Sequence, residues 1–313
     1  MQVSSGMAYF GDEKIQGSLK DKVRNAIDSD ITSIQVKNSD IKAFTDFEGY
    51  AGEITCYLND IKWDKAYFDD LYSKLKKLHV IGMNNVVVPT MMDVSKYKAM
   101  NHDEKLNVLK DMSSYIVNIA NMGIKVGLLN TGDGVFTGTV ILPLIYNLYP
   151  ELADKVGYAV NISEKSDGGI AELDFRSVNT VNIEPVVEGG NIVYDRSRVL
   201  IGNTYSEFVK FGYVPNMFTV AEDVTLPVVN NLASLCSNVI SFVVSKVGGI
   251  NNGKGRSKVM PGYHETGVGE NVSGVGDNNR QVSLGFIDCL QMFFMLTIIC
   301  LIAVGIALLL VLL

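Results

Sequence analysis

Cysteine and histidine are scarce in this 313-residue chain, with four of one and three of the other. Cys56, Cys236, Cys289 and Cys300 lie far apart or inside an apolar tail, and no CxxC or Cys/His cluster occurs. A structural zinc site needs four such ligands at short spacing, so none is expected. A disulfide framework is excluded on the same grounds, which fits a reducing compartment. Positive charge is also in short supply. The net charge is −7, and the basic residues are mostly Lys. General nucleic-acid binding requires a basic footprint that releases counterions, so nucleic acid is not an expected partner. Walker A, zinc-finger, RNP and Gly-x-Ser-x-Gly patterns are all missing, which removes P-loop chemistry and nucleophile-elbow hydrolases. No cofactor is expected. The first residues, MQVSSGMAYFGDEK, carry neither a basic n-region nor an apolar stretch, so no cleavable signal is expected.

What is present reads first as a membrane tether. Residues 292–313, MFFMLTIICLIAVGIALLLVLL, contain no charge, Pro, Asn or Gln. As a helix they would span roughly 33 Å, close to the thickness of a bilayer core. Lys246, Lys254, Arg256, Lys258 and Arg280 precede this run and nothing basic follows it, which predicts a cytoplasmic N-terminal domain. The stretch 248–285 is dense in Gly, Asn and Ser and has no hydrophobic period, as expected of a flexible linker. The expected organisation is a polar, peripheral segment over 1–47, a globular domain over 48–247, this linker, and a single-pass anchor over 286–313 that takes the lipid bilayer as its partner.

Within the globular part, strand-like and helix-like stretches alternate. EITCYL is followed by apolar positions at helical spacing, Trp63, Tyr67, Leu71, Leu75 and Leu78, and then by Gly82. NNVVVPT reads as a buried strand. Asn101 and Glu104 form a capping pair for a helix carrying Leu109, Met112 and Ile116 on one face, which Gly123 ends before the strand IKVGLLN. A further helix over 140–152 and a strand over 157–162 complete a series of consecutive βαβ units. VNIEPVV and NIVYDRSRVLI, separated by Gly189-Gly190, read as a β-hairpin insertion. A short helix at 205–211, a strand at 217–220 and a long helix capped by Thr225 follow. The fold class is therefore α/β with a mainly parallel sheet. Some 200 residues are few for eight full βα units, which favours an open sheet or an incomplete barrel.

In parallel α/β folds the carboxyl ends of the strands carry the chemistry. There the sequence sets Asp93-Val94-Ser95, Thr131-Gly132-Asp133-Gly134, Glu164 and Glu222-Asp223. Asp93, Asp133 and Glu222 are the candidate catalytic carboxylates, one to hold a proton and another to stay ionised. Asp93 and Ser95 are the candidate ligand or metal-binding pair. The same residue types also cap helices and form turns, so convergence in one pocket is what separates the two roles.

The stretch MNNVVVPTMMDVSKYKAM, with the following helix and GIKVGLLNTGDG, resembles the strand–helix–strand units of TIM-barrel sugar enzymes. It is also similar to a von Willebrand A domain, whose first strand ends in DxSxS around a metal. Asp93 and Ser95 match that pattern, whereas Tyr97 stands in place of the second serine. A module of this kind without its metal would bind protein. With no complete catalytic motif in the chain, the expected function is a tail-anchored domain that recruits or scaffolds a protein partner at the membrane surface. The alternatives are a glycosidase-like, carboxylate-dependent hydrolase and a degenerate von Willebrand A-like binding module.

Overall fold

The computed structural model describes residues 5–89, 94–130, 141–170 and 173–251. Eight parallel strands close into one barrel: β1 (Gly6–Tyr9), β2 (Ser33–Lys37), β3 (Glu53–Tyr57), β4 (Met83–Val88), β5 (Lys125–Leu129), β6 (Val156–Ile162), β7 (Val178–Ile183) and β10 (Asn216–Ala221). Neighbours around the ring follow chain order, and β1 seals it by pairing in parallel with both β2 and β10. The helices are α1 (Glu13–Gln16), α2 (Leu19–Asp28), α3 (Lys65–Val80), α4 (Val94–Ala99), α5 (His102–Asn121), α6 (Ile141–Leu148), α7 (Tyr194–Lys210) and α8 (Leu226–Asn251). This is the architecture of a TIM barrel.

Closure corrects the expectation of an open or incomplete sheet. Two crossovers dispense with an α-helix: a 3-10 turn at Phe44–Phe47 stands between β2 and β3, and one at Phe175–Ser177 precedes β7. Eight strands thus fit into fewer residues than eight full units would need. The segment 1–47 is not peripheral, since it supplies β1 and β2. The hairpin is far smaller than expected. Its strands are only β8 (Val187–Glu188) and β9 (Asn191–Ile192), while VNTVNI is barrel strand β7 and the residues from Tyr194 onward form α7.

The local signals in the middle of the chain hold. Asn101 accepts from the Glu104 N–H and Glu104 returns a bond to the Asn101 N–H, both at 2.9 Å, so α5 begins with a capping box. Gly82 and Gly123 take left-handed φ angles of 102° and 88°, ending α3 and α5.

Strand register divides the barrel residues into two sets. Ile34, Val36, Ile54, Cys56, Val86, Val88, Val126, Leu128, Val160, Val181 and Met217 face outward into one continuous apolar core beneath the helices. α8 buries Val229, Leu232, Cys236, Val239 and Val243 in the same core. Pairing of Gly6 with Ser33, Ser33 with Glu53, Thr55 with Asn85, Gly127 with Gly157 and Asn161 with Asn182 lines up the inward set. The linker from residue 252 onward and the apolar run 292–313 lie outside the described residues.

Candidate functional site

Only part of the expected site falls on described residues. Asp93 and Asp133 lie outside them, and Ser95 is described only as part of the α4 backbone. Glu222 does follow a barrel strand, directly after β10, and is exposed at the carboxyl mouth. Glu164 follows β6, but its carboxylate is engaged by Arg196, which also pairs with Glu188 of the small hairpin. Asp223 adopts a left-handed φ of 48°, as a turn residue does. The strand-end carboxylates expected from the sequence are thus not equivalent, and Glu222 is the described one left available.

Its neighbour across the strand ends is Glu184, a residue the sequence pattern concealed. Glu184 directly follows β7, and its N–H bonds the Ile162 carbonyl at 2.8 Å, fixing the backbone to β6. The Glu184 side chain keeps contact with solvent, yet partial burial lifts its carboxyl above the ordinary range and the Glu222 charge lifts it further. The shift favours the protonated form of Glu184, the direction in which a general acid has to be moved.

The peptide before Glu222 is held from two directions. The Ala221 carbonyl accepts from the Phe10 N–H at 3.1 Å and from the Gln16 amide. Gln16, fully buried, accepts in turn from the Gly11 N–H at 3.1 Å. Lys22, also buried, donates to the Gly11 carbonyl at 2.8 Å and pairs with Asp40 at 3.0 Å. Glu222 thus leaves a backbone clamped to the first βα loop at the seam where the barrel closes.

Next around the mouth stand Phe10, Lys37 and Tyr57, all half-buried, from the ends of β1, β2 and β3. The Phe10 and Tyr57 rings meet at 4.9 Å over the intervening strand. Lys37 donates to the Phe10 carbonyl at 2.8 Å, with its ammonium 5.7 Å from the Phe10 ring centre. The Tyr57 phenol is raised, first by burial and then by the Glu222 charge, so it remains a neutral hydroxyl. An aromatic wall therefore faces the carboxylates.

One layer below, the barrel interior is polar. Gln35 and Thr55 are fully buried, one residue pair beneath Lys37 and Tyr57 in register. Among the described residues, neither amide atom of Gln35 nor the Thr55 hydroxyl has a hydrogen-bond partner. Asn182, beneath Glu184, donates to Asn161 at 3.1 Å but leaves its own carbonyl oxygen unmatched. An unmatched buried polar group costs about 1–3 kcal/mol, whereas an aromatic pair contributes about 0.5–1.5 kcal/mol beyond its burial. Each unmatched atom is therefore a standing penalty that a hydrogen-bonding partner entering the layer would relieve.

Among the described residues no three His, Cys, Asp or Glu side chains gather as a metal site would need. His79 bonds the Met83 carbonyl at 2.9 Å, at the end of the barrel opposite the mouth. A surface cavity of about 180 Å³ between α2 and the first 3-10 turn, lined by Lys20, Arg24, Asp46 and Glu48, lies away from the strand ends.

No family model matches the sequence, and no curated protein does. Solved structures do share the fold. A D-tagatose 3-epimerase-like protein matches with a TM-score of 0.52 and 14% identity over 80% of this chain and 100% of that one. A xylose isomerase-like TIM barrel/4-hydroxyphenylpyruvate dioxygenase fusion protein matches at 0.50 and 13% over 83% of this chain, which spans only 46% of the fusion protein. An AP endonuclease, family 2, from Brucella melitensis matches at 0.50 and 11% over 71% of this chain and 94% of that one. These likenesses, with the closed barrel, overturn the reading of the globular domain as a protein-recruiting scaffold: it has the fold of barrel enzymes, while the apolar run 292–313 on which the anchor reading rests lies outside the described residues. The von Willebrand A-like alternative does not fit a closed ring of eight parallel strands. Among the described residues one helix is long and apolar enough to cross a membrane, Leu226–Lys246, and it is α8, packed in the barrel's own core.

Proposed function

We propose that this chain is a sugar-processing barrel enzyme that uses Glu184 and Glu222 as an acid–base pair at the carboxyl mouth. The observation that carries the reading is the electrostatic coupling of these two carboxyls at the ends of adjacent strands, with Glu184 raised. Two structural neighbours, a D-tagatose 3-epimerase-like protein and a xylose isomerase-like barrel, suggest the substrate class. A nucleic-acid substrate, which the endonuclease likeness would suggest, is disfavoured by the net charge of −7.

In this reading a ketose lies against Phe10 and Tyr57, whose faces suit the C–H side of a sugar. The Glu222 carboxylate takes the proton from the carbon next to the carbonyl. Glu184 gives its proton to the carbonyl oxygen as the electron pair moves there, and a neutral enediol results. Glu222 then returns its proton to the neighbouring carbon while the hydroxyl of the first carbon gives its proton to Glu184, which yields an isomer and restores both carboxyls.

The test is carbon-bound proton exchange. Ketopentoses and ketohexoses incubated with the full chain in deuterium oxide should lose the proton signal next to the carbonyl, read by NMR. Glu222→Gln and Glu184→Gln should each slow this exchange by about 10²–10⁴-fold. No exchange from any of these sugars, or exchange undiminished in both variants, would overturn the proposal. Release of nitrophenol from aryl glycosides instead would replace it with the hydrolase form of carboxylate catalysis.

A further inference from the structure

We infer that Gln35 and Thr55 form a buried subsite that receives one hydroxyl group of a neutral polyol, entered by parting Phe10 from Tyr57. The inference rests on the sugar reading above for its ligand class, but on different residues. Both side chains are fully buried and directed into the barrel by register: Ala8 pairs with Gln35, and Gln35 with Thr55. Three polar atoms of this pair have no partner among the described residues. They lie under a roof of Phe10, Lys37 and Tyr57, which is only half-buried and so borders solvent.

The chemistry of the pair selects the ligand group. Gln35 presents a donor and an acceptor together, and the Thr55 hydroxyl is both at once. A hydroxyl answers each of these roles. A carboxylate or phosphate would enter a layer whose register neighbours, Ala8, Asn85 and Val220, are uncharged, beneath a Lys37 ammonium already committed to the Phe10 carbonyl. An apolar group would leave all three atoms unmatched. Lys37 does not compete for the site, because its ammonium is bound to the Phe10 carbonyl. When the rings separate, their faces flank the entering carbon chain and the polar atoms meet its terminal hydroxyl.

The probe is xylitol, a polyol with no carbonyl to react, titrated calorimetrically into the full chain. Wild type should bind it, and Gln35→Met and Thr55→Val should each weaken binding at least tenfold. Both variants should melt at or above the wild-type temperature, since each removes an unmatched polar group. Absence of xylitol binding to wild type, or undiminished affinity in both variants, would mean that the two residues hold buried water only, and the subsite would be withdrawn. If a variant fails to fold, the Gln35 side-chain amide resonances of wild type decide: they should shift with saturating xylitol, and unmoved resonances overturn the inference. The two proposals fail separately. Glu184→Gln and Glu222→Gln bear on proton exchange, so Gln35-dependent xylitol binding without any exchange would sink the catalytic reading and leave the subsite standing.

Discussion

The outward and inward faces of the same barrel strands follow opposite rules. On β2, Ile34 and Val36 face out into the continuous core, while Ser33, Gln35 and Lys37 face in. On β3, Ile54 and Cys56 contrast with Thr55 and Tyr57 in the same way. The outward set is apolar apart from Thr219 of β10, and it suffices to hold the barrel. Its isolation from water is deep enough to push the Cys56 thiol up to about 12. The inward set, released from that task, carries unmatched polar atoms below the mouth and charged groups at it. The difference teaches that stability and function are assigned to alternate residues of one strand, not to different parts of the molecule.

The contrast can be broken most forcefully on β2. Ile34→Ala opens a cavity in the outward core and should cost about 2–5 kcal/mol by denaturant unfolding, whereas the adjacent Gln35→Met should cost nothing. Equal losses from the two would erase the distinction.

A smaller effect is expected at Gly6, an inward position where an added Cβ would collide with the Met217 carbonyl and the Phe218 ring. Gly6→Ala should destabilise by about 1–3 kcal/mol, mainly by straining the β1–β10 seam. A neutral result would show that the interior at this end is loosely filled.

The smallest effect is a trend with pH. Because the folded protein raises the Glu184 carboxyl, the protonated form is favoured by folding. Its contribution is present below the ordinary carboxyl value and is lost as pH rises through the raised one. Glu184→Gln should therefore melt progressively higher relative to wild type as pH is taken from about 4 to about 8. A difference independent of pH would mean that the Glu184 carboxyl is not perturbed.

Legibility in the sequence followed the same division. The units from β3 to β6 could be read because their outward residues form short apolar runs and their helices begin and end on recognisable residues, the Asn101–Glu104 box and Gly82 and Gly123 among them. β1 was hidden by its length of four residues, whereas ITSIQVK was legible as a strand but not as a barrel strand, because the inward Gln35 and Lys37 make it look half-exposed. Closure was missed because two crossovers lack a helix, and residue counting assumes one in each. Glu222 was found because NMFTVA is an unmistakable strand. Glu184 was not, because VNIEPVV read without a break as one arm of a hairpin, so the carboxylate stood inside a presumed strand instead of at the end of a real one. The α7 residues Tyr194, Val199 and Ile201 misled for a related reason, since β-branched and aromatic side chains favour strands and only packing decides otherwise.

The seam between β1 and β10 has a consequence for how the chain is made. Gly6–Tyr9 cannot find Phe218–Ala221 until more than two hundred further residues have left the ribosome. At about 5–20 residues per second that interval is on the order of 10–40 s. Throughout it the nascent chain carries one strand edge with no partner, the situation that invites pairing with another molecule. The capping box of α2 at Ser18, and the bond from Lys22 to the Gly11 carbonyl, are local enough to form in that time. They would fold the first βα loop back beside the waiting edge, so the newest part of the barrel meets an end already shaped to receive it.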